Sequence, residues 1–158
     1  MTATRKHSAN AQLPAVAARP TFVIHRLNAA LGRICNPRFR ELGVDLITSR
    51  ILVLVAERRR LQIGELVELM ALPQSTVSHQ IRRLEEAGLL RRRSDAQDQR
   101  ALWLSLTAKG QSRADACQAL SADLYGQLFA DMPGAEMARL VAALADLDAR
   151  LQRVESAG

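Results

Sequence analysis

Cysteine, aromatic residues and long apolar stretches are scarce in this chain of 158 residues. Its two cysteines, Cys35 and Cys117, are too far apart for a Cys-x-x-Cys metal pair and too few for a disulfide framework. The three histidines lack the spacing of zinc ligands. No apolar run reaches the roughly 18 residues of a membrane-spanning helix. One Trp, one Tyr, eight Gly and five Pro are too few for a fold of strands and turns, so the composition predicts a mostly α-helical protein.

Motifs of catalysis and of export are also missing. The sequence has no nucleophile elbow, no glycine-rich phosphate loop and no carboxylate pair in a recognisable catalytic context, so we expect neither enzymatic activity nor a cofactor. Residues 1–20 carry Arg5 and Lys6, but no apolar segment follows these two side chains. They predict a flexible basic arm rather than a signal peptide, and hence a cytoplasmic protein.

Basic residues are concentrated in the first two thirds of the chain. The formal net charge is +6 at pH 7, from 22 Lys and Arg against 16 Asp and Glu. It divides into +5 over residues 1–45, +4 over residues 58–110 and −3 over residues 111–158. A basic region of this kind steers polyanions toward a protein, although many soluble proteins are also basic.

Apolar periodicity predicts helices on both sides of a short β-hairpin. The first helix covers about residues 21–42 and is expected to be interrupted at Cys35-Asn36-Pro37, because proline removes a backbone donor and disfavours helix at the preceding residue. Asp45 and Thr107 are the expected caps of the second helix and of a long helix after the hairpin. The elements predicted between these caps are a helix over 63–70, a helix from Gln74 that ends at Gly88, and strands over 89–93 and 101–106.

This order of elements is that of a helix-turn-helix followed by a β-hairpin, which is a winged helix. The helix from Gln74 turns Val77, Ile81 and Leu84 inward, and its other side carries hydroxyl, amide and guanidinium groups that suit base edges and phosphates. A polar helix face alone is more often only solvated, but its place in this order favours nucleic acid. The predicted DNA contacts of this helix are Gln74, Ser75, Thr76, Ser78, His79, Arg82 and Arg83.

The hairpin is the predicted wing. Arg93 precedes its charged tip and Arg100 ends it, where a guanidinium can enter the minor groove next to the helix. Asp98 could orient Arg100 through a carboxylate contact, and a surface salt bridge worth at most about 1 kcal/mol is the alternative. We predict that Arg93, Asp98 and Arg100 complete the DNA contacts.

The last predicted helix carries apolar residues at alternating spacings of three and four, which is typical of a coiled-coil seam. A core helix of a monomer is the alternative, and we favour a seam between two subunits. The ladder consists of Met137, Leu140, Leu144, Leu147, Leu151 and Val154.

Three segments of the predicted winged helix form a recognisable pattern: Leu84-Glu85-Glu86-Ala87-Gly88-Leu89-Leu90, Asp98-Gln99-Arg100-Ala101 and Ser105-Leu106-Thr107-Ala108-Lys109-Gly110. Together they resemble the winged helix of the MarR family of bacterial and archaeal transcription regulators. The resemblance implies a single domain over residues 21–158, mostly α-helical with a small β-hairpin wing. The winged helix-turn-helix would cover about 46–106, and dimerisation helices about 21–42 and 107–154.

The resemblance also implies a function. Members of the family bind palindromic operators as homodimers, often repress genes, and release DNA when a small aromatic or anionic ligand binds or a cysteine is oxidised. We therefore expect a sequence-specific regulator, a homodimer on double-stranded DNA with a small-molecule effector and no membrane partner. His25 and Arg26 are the candidate ligand-binding residues.

Three alternatives remain open at this stage. Cys35 could make the chain a thiol-based oxidant sensor, although a free cysteine is commonly a small buried apolar residue. A winged-helix module for protein assembly without DNA binding is the second alternative. An enzyme that uses the Cys35 thiol is the third.

Overall fold

The computed structural model describes residues 13–94 and 102–157. Within these ranges it confirms a mostly helical winged-helix fold. The helices are α1 (Pro20–Glu41), α2 (Leu46–Arg58), α3 (Ile63–Met70), α4 (Gln74–Glu86), α5 (Ala108–Phe129) and α6 (Gly134–Glu155). The strands are β1 (Leu61–Gln62), β2 (Leu90–Ser94) and β3 (Leu102–Leu106), and a 3-10 turn covers Val16–Ala18. None of these helices is long and apolar enough to cross a membrane.

Helix α1 is continuous, so the predicted interruption at Cys35-Asn36-Pro37 is wrong. Pro37 lies inside the helix, where proline usually costs about 3 kcal/mol or more. Cys35 and Phe39 on either side of it are buried, at 5% and 2% exposure. The side-chain Oδ1 of Asn36 also accepts a hydrogen bond from the backbone N–H of Leu46 at 2.9 Å. Burial and this link to α2 offset the local effect of the proline.

Asp45 caps α2, as predicted. Its Oδ1 accepts a hydrogen bond from the backbone N–H of Thr48 at 2.7 Å, and Thr48 Oγ1 accepts one from the backbone N–H of Asp45 at 2.8 Å. This reciprocal capping box satisfies two donors at the start of the helix. Helix α2 then buries Ile51, Leu52 and Val55.

The three strands form an antiparallel sheet in the order β1-β3-β2. Strands β2 and β3 are the predicted hairpin, and β2 starts one residue later than expected. Strand β1 was not predicted, because two residues are too short to show an alternating pattern. Leu61 of β1 pairs with Leu104 of β3, and these side chains are 2% and 0% exposed. This side of the sheet therefore belongs to the core.

The described residues divide into two units between Cys117 and Gln118. The first unit contains α1 to α4, the sheet and the start of α5, and its core includes Phe39, Ile51, Leu66, Ile81 and Leu104. The second contains the rest of α5 and α6. Large apolar side chains exposed in this second unit are Tyr125, Leu128, Leu140, Val141, Leu144, Leu151 and Val154.

Helix α5 begins at a close backbone contact. Thr107 Oγ1 accepts a hydrogen bond from the backbone N–H of Gly110 at 2.9 Å, which confirms Thr107 as the cap. A Cβ on Gly110 would clash with the carbonyl oxygen of Leu89. Only glycine therefore lets α5 approach the chain segment that enters β2 this closely.

We expect Gly110→Ala to lower the free energy of unfolding by about 2–3 kcal/mol, because the backbone of Leu89 must move to admit the methyl group. Urea unfolding followed by circular dichroism measures the change. Gly64→Ala is the matched control, since no atom lies within 4 Å of its Cβ position. It should leave stability unchanged or raise it by up to about 1 kcal/mol. Equal effects of the two substitutions would contradict the contact.

Candidate DNA-binding surface

Helix α4 has an apolar face and a polar face. Val77, Ile81 and Leu84 are 0%, 0% and 3% exposed, which confirms the predicted inward face. The other side carries every DNA contact predicted on this helix. Exposed among them are Gln74, Ser75, His79, Arg82 and Arg83, and half-buried are Thr76 and Ser78.

Two arginines of α4 are oriented by partners one turn away. Arg82 places Nη2 at 3.1 Å from His79 Nδ1 and Nε at 3.9 Å from Glu86 Oε1. Arg83 Nη1 donates a hydrogen bond to Gln80 Oε1 at 3.3 Å. Exposed pairs of this kind contribute at most about 1 kcal/mol, so a phosphate or a base edge can replace them.

A short turn joins α3 to the N-terminus of α4. Helix α3 ends at Ala71, whose φ of +48° is in the left-handed region, and Pro73 precedes α4. No side chain caps the N-terminus of α4. Its first backbone N–H groups therefore lack a side-chain acceptor, as suits a helix end that approaches phosphate.

Successive arginines of β2 lie on opposite sides of the sheet. Arg92 is opposite Leu104 on the core side, and its Nε is 3.0 Å from Glu85 Oε2 of α4. Arg91 and Arg93 are on the other side and exposed. The alternation gives Arg92 a contact with α4 and leaves Arg93 on the opposite side, where its role as a DNA contact stays a prediction.

The predicted wing-tip contacts Asp98 and Arg100 lie outside the described residues, so both stay predictions. Near the wing, the Arg60 guanidinium lies over the Trp103 ring at 4.3 Å from its centroid. Sequence reasoning missed this contact. A basic residue just before a short strand gave no signal that it would meet an aromatic residue of the hairpin.

A cleft of about 470 Å³ lies next to the C-terminal half of α4. Its lining combines two guanidinium groups with apolar side chains and the Asp45 carboxylate, which already accepts the Thr48 hydrogen bonds. Sequence reasoning did not associate the two arginines with a common site. The lining residues are Arg40, Gly43, Val44, Asp45, Thr48, Arg83, Leu84, Ala87 and Leu89.

The predicted ligand residues His25 and Arg26 are exposed on α1 and do not line this cleft. The His25 ring lies 6.3 Å from the ring of Phe22. Their role in ligand binding stays a prediction.

Both thiols are buried. Cys35 is 5% exposed and Cys117 is 0% exposed. Burial raises the pKa of the Cys117 thiol, and the Arg113 guanidinium opposes the shift in part. Cys117 is therefore less ionised at neutral pH than a free thiol, which favours a packing role. The burial of Cys35 counts against easy oxidant access, and the oxidant sensor stays a prediction. In the described ranges, no three His, Cys, Asp or Glu side chains form a group that could hold a metal ion.

Comparisons with known proteins agree with this geometry. Residues 49–102 match the model of the MarR family. A MarR/EmrR family transcriptional regulator from Acinetobacter sp. ADP1 superposes with a TM-score of 0.82 at 18% identity, covering 89% of this chain and 99% of that one. MepR of S. aureus, in a crystal structure with DNA, gives 0.76 at 17% identity over 84% and 96% of the two chains.

CouR from Rhodococcus jostii RHA1, bound to p-coumaroyl-CoA, gives a TM-score of 0.77 at 21% identity over 85% and 95%. No curated protein sequence matches this chain. The family model covers the helix-turn-helix and the hairpin, and the structural matches cover most of the chain. The protein thus has the fold of the MarR-family regulators and that family's sequence pattern over residues 49–102, which confirms the resemblance seen in the sequence.

Proposed function

We propose that this chain is a sequence-specific DNA-binding transcription regulator. The exposed polar side of α4, oriented by the burial of Val77, Ile81 and Leu84, is the observation that carries the proposal. In a winged helix, the second helix of the helix-turn-helix enters the major groove with its N-terminal residues at the base edges. Gln74 and Ser75 occupy those positions here. MepR, which shares the fold, was crystallised with DNA, and this supports the same role for α4.

The proposed binding mode divides the work between base contacts and phosphate contacts. Amide and hydroxyl groups near the start of α4 read base edges, and Arg82 and Arg83 supply charge or pair with guanine. In this proposal Arg93 and Arg100 contact the adjacent minor groove and Asp98 orients Arg100, as the sequence predicts for the wing. Several neutralised phosphates make the affinity fall steeply as salt rises.

The double variant Gln74→Ala, Ser75→Ala is expected to lose about 5- to 150-fold in affinity for a preferred duplex, the cost of one lost base contact. The duplex is selected from a random library by the wild-type chain, and fluorescence anisotropy measures binding at fixed salt. Affinity for an unselected duplex should change little, because phosphate contacts remain.

Gln118→Ala, an exposed amide on α5, is the control and should change neither affinity. If the wild-type chain binds all duplexes with equal affinity, the proposal of sequence-specific binding is wrong. Salt-independent binding of a protein partner instead would favour the assembly module.

We further propose that the regulator acts as a homodimer on a palindromic site. The apolar ladder of α6 supports this, since Leu140, Leu144, Leu151 and Val154 are 39%, 46%, 53% and 73% exposed. A contiguous apolar surface of this kind marks an interaction site. Two α4 helices related by a two-fold axis would read two half-sites one helical turn apart. The family resemblance implies that binding to this site represses the neighbouring genes.

Leu144→Arg is expected to convert the dimer to monomers or aggregates, because it places an unpaired charge in an apolar seam. Sedimentation velocity measures the molecular mass. Ala142→Arg adds the same charge at an exposed position on the opposite side of α6, and should leave the dimer intact. A stable Leu144→Arg dimer would contradict the seam.

The effector that we propose is a small aromatic carboxylate bound in the cleft of about 470 Å³. Such a volume is in the range of small-molecule sites, and two guanidinium groups next to Val44, Leu84 and Leu89 suit an anion with an apolar body. Arg83 belongs to α4, so a ligand there would engage the helix that reads DNA. Ligand and DNA then weaken each other's binding by the same factor.

Benzoate at millimolar concentration is expected to raise the melting temperature, with benzyl alcohol as the uncharged control. Arg40→Gln should abolish the shift, whereas Arg139→Gln, an exposed cation on α6, should keep it. Loss of the shift in Arg26→Gln but not in Arg40→Gln would place the ligand at His25 and Arg26 instead.

A further inference from the structure

Two of the guanidinium groups that line the cleft of about 470 Å³ have no carboxylate partner among the described residues. Arg40 of α1 and Arg83 of α4 both line it, and both are exposed. Arg83 Nη1 donates its hydrogen bond to the neutral Gln80 side chain, and within residues 13–94 and 102–157 no carboxylate forms an ion pair with Arg40. Their positive charges are therefore available to an anion in the cleft.

A third guanidinium reaches the wall of the cleft from α5. Arg113 Nη1 lies 2.9 Å from the position that a Cβ on Gly43 would occupy, and Gly43 lines the cleft. A side chain at residue 43 would meet this guanidinium, and the φ of +70° there also favours glycine. Arg113 is half-buried, and no carboxylate of the described ranges pairs with it. Because a buried charge is costly unless it is paired, a bound anion would stabilise this group.

The carboxylates near the cleft do not neutralise the three guanidinium groups. Asp45 is the one acidic residue of the lining, and its Oδ1 accepts hydrogen bonds from the backbone N–H and the hydroxyl of Thr48. Glu41 and Glu86 adjoin lining residues in the sequence, but neither lines the cleft. Three positive charges against one negative charge leave an excess of two.

The nearby Lys109 amine has a different partner. Its Nζ donates a hydrogen bond to the backbone carbonyl of Ala87 at 2.9 Å. Ala87 follows the last residue of α4, where unpaired carbonyls carry the negative end of the helix dipole. Lys109 therefore offsets that dipole, and the excess of two charges belongs to the guanidinium groups.

We propose that the effector of this cleft is an aromatic dianion, whose second anionic group binds Arg113. This inference rests on the effector site proposed above and specifies its ligand. A dianion matches the excess of two positive charges, whereas a monoanion leaves one guanidinium unpaired. Guanidinium groups bind carboxylate and phosphate oxygens through pairs of N–H donors, so aromatic dicarboxylates and aromatic phosphate monoesters share the required chemistry. Because the three arginines belong to α1, α4 and α5, such a ligand would connect three helices.

Isothermal titration calorimetry of the full chain at fixed ionic strength compares benzoate with two dianions, isophthalate and phenyl phosphate. At pH 8 at least one dianion should bind about 5- to 10-fold more tightly than benzoate, the effect of one additional, partly buried ion pair. The preferred dianion identifies the second group as carboxylate or phosphate. Phosphate monoesters lose their second charge near pH 6, so a preference for phenyl phosphate should disappear at pH 5.

Arg113→Gln should remove the preference, because it lowers the affinity for the dianion about 5- to 10-fold and changes the affinity for benzoate little. Arg113→Lys keeps the charge and should keep most of the preference, which separates a charge effect from packing against Cys117. Arg50→Gln is the matched control, since it removes an exposed cation from the side of α2 opposite Thr48. It should leave all affinities unchanged. Melting temperatures without ligand report whether each variant is folded.

The other outcomes overturn the proposal. Equal affinities of the wild-type chain for benzoate and both dianions show that the cleft takes a single charge. A preference for a dianion that persists in Arg113→Gln assigns the second charge to another residue. Inorganic phosphate that binds as tightly as phenyl phosphate shows an anion site without selection for a ring. In all three cases the effector site itself can stand if benzoate binds, whereas a chain that binds none of these compounds contradicts that site as well.

Discussion

The rotation of α4 about its own axis is the constraint on which the whole surface depends. Val77, Ile81 and Leu84 recur at spacings of four and three, and all three are buried. One residue of slip turns a helix by about 100°, which would expose this stripe and bury Gln74 and Arg82 instead. Burial of each apolar side chain stabilises the fold by about 1.5–3 kcal/mol, so the stripe sets the rotation firmly. The polar side of α4 faces solvent because the apolar side is buried in the core.

Hydrogen bonds from the start of α5 also fix the position of the C-terminus of α4. Gly88, with φ of +70°, ends the helix, and the Thr107 hydroxyl donates a hydrogen bond to its carbonyl at 2.7 Å. Lys109 Nζ donates to the carbonyl of Ala87 at 2.9 Å. The backbone N–H of Thr107 donates to the carbonyl of Leu89, the same residue that Gly110 approaches. One junction thus joins the end of α4, the start of the hairpin and the start of α5, and a shift of α4 must disturb all three.

The sequence predicted the elements whose signals are local. Four-three spacing predicted α4, Asp45 as a capping residue predicted the start of α2, and Gly88 predicted the end of α4. The sequence did not predict the continuity of α1 through Pro37, because the burial of Phe39 and the hydrogen bond that Asn36 accepts from Leu46 act over longer range than the proline rule. Strand β1 was missed for the opposite reason, since it exists only through its pairing with β3.

Among the candidate site residues, too, local sequence signals predicted some, and others are brought together only by the fold. Periodicity predicted the proposed DNA contacts of α4, whereas Arg40 and Arg83 line one cleft only because α1, α2 and α4 converge there. The sequence showed Arg91, Arg92 and Arg93 as one basic triplet. All three are exposed, but the register separates them, because strand period 2 sets Arg92 on the side of Glu85 and puts Arg91 and Arg93 on the opposite side of the sheet.

That separation gives a single basic run two surroundings, an ion pair with Glu85 on one side of the sheet and open solvent on the other. A guanidinium that already pairs with Glu85 at 3.0 Å must lose that contact before it can bind phosphate, so Arg92 is poorly suited to DNA. Arg91 and Arg93 have exposed side chains and face the side of the sheet that carries Trp103. The Trp103 ring also lies under the Arg60 guanidinium, and this contact restricts the conformations of that long side chain. The antiparallel register of β1 and β3 sets Gln62 opposite Trp103, and it thereby brings the ring within reach of Arg60 two residues earlier in the chain.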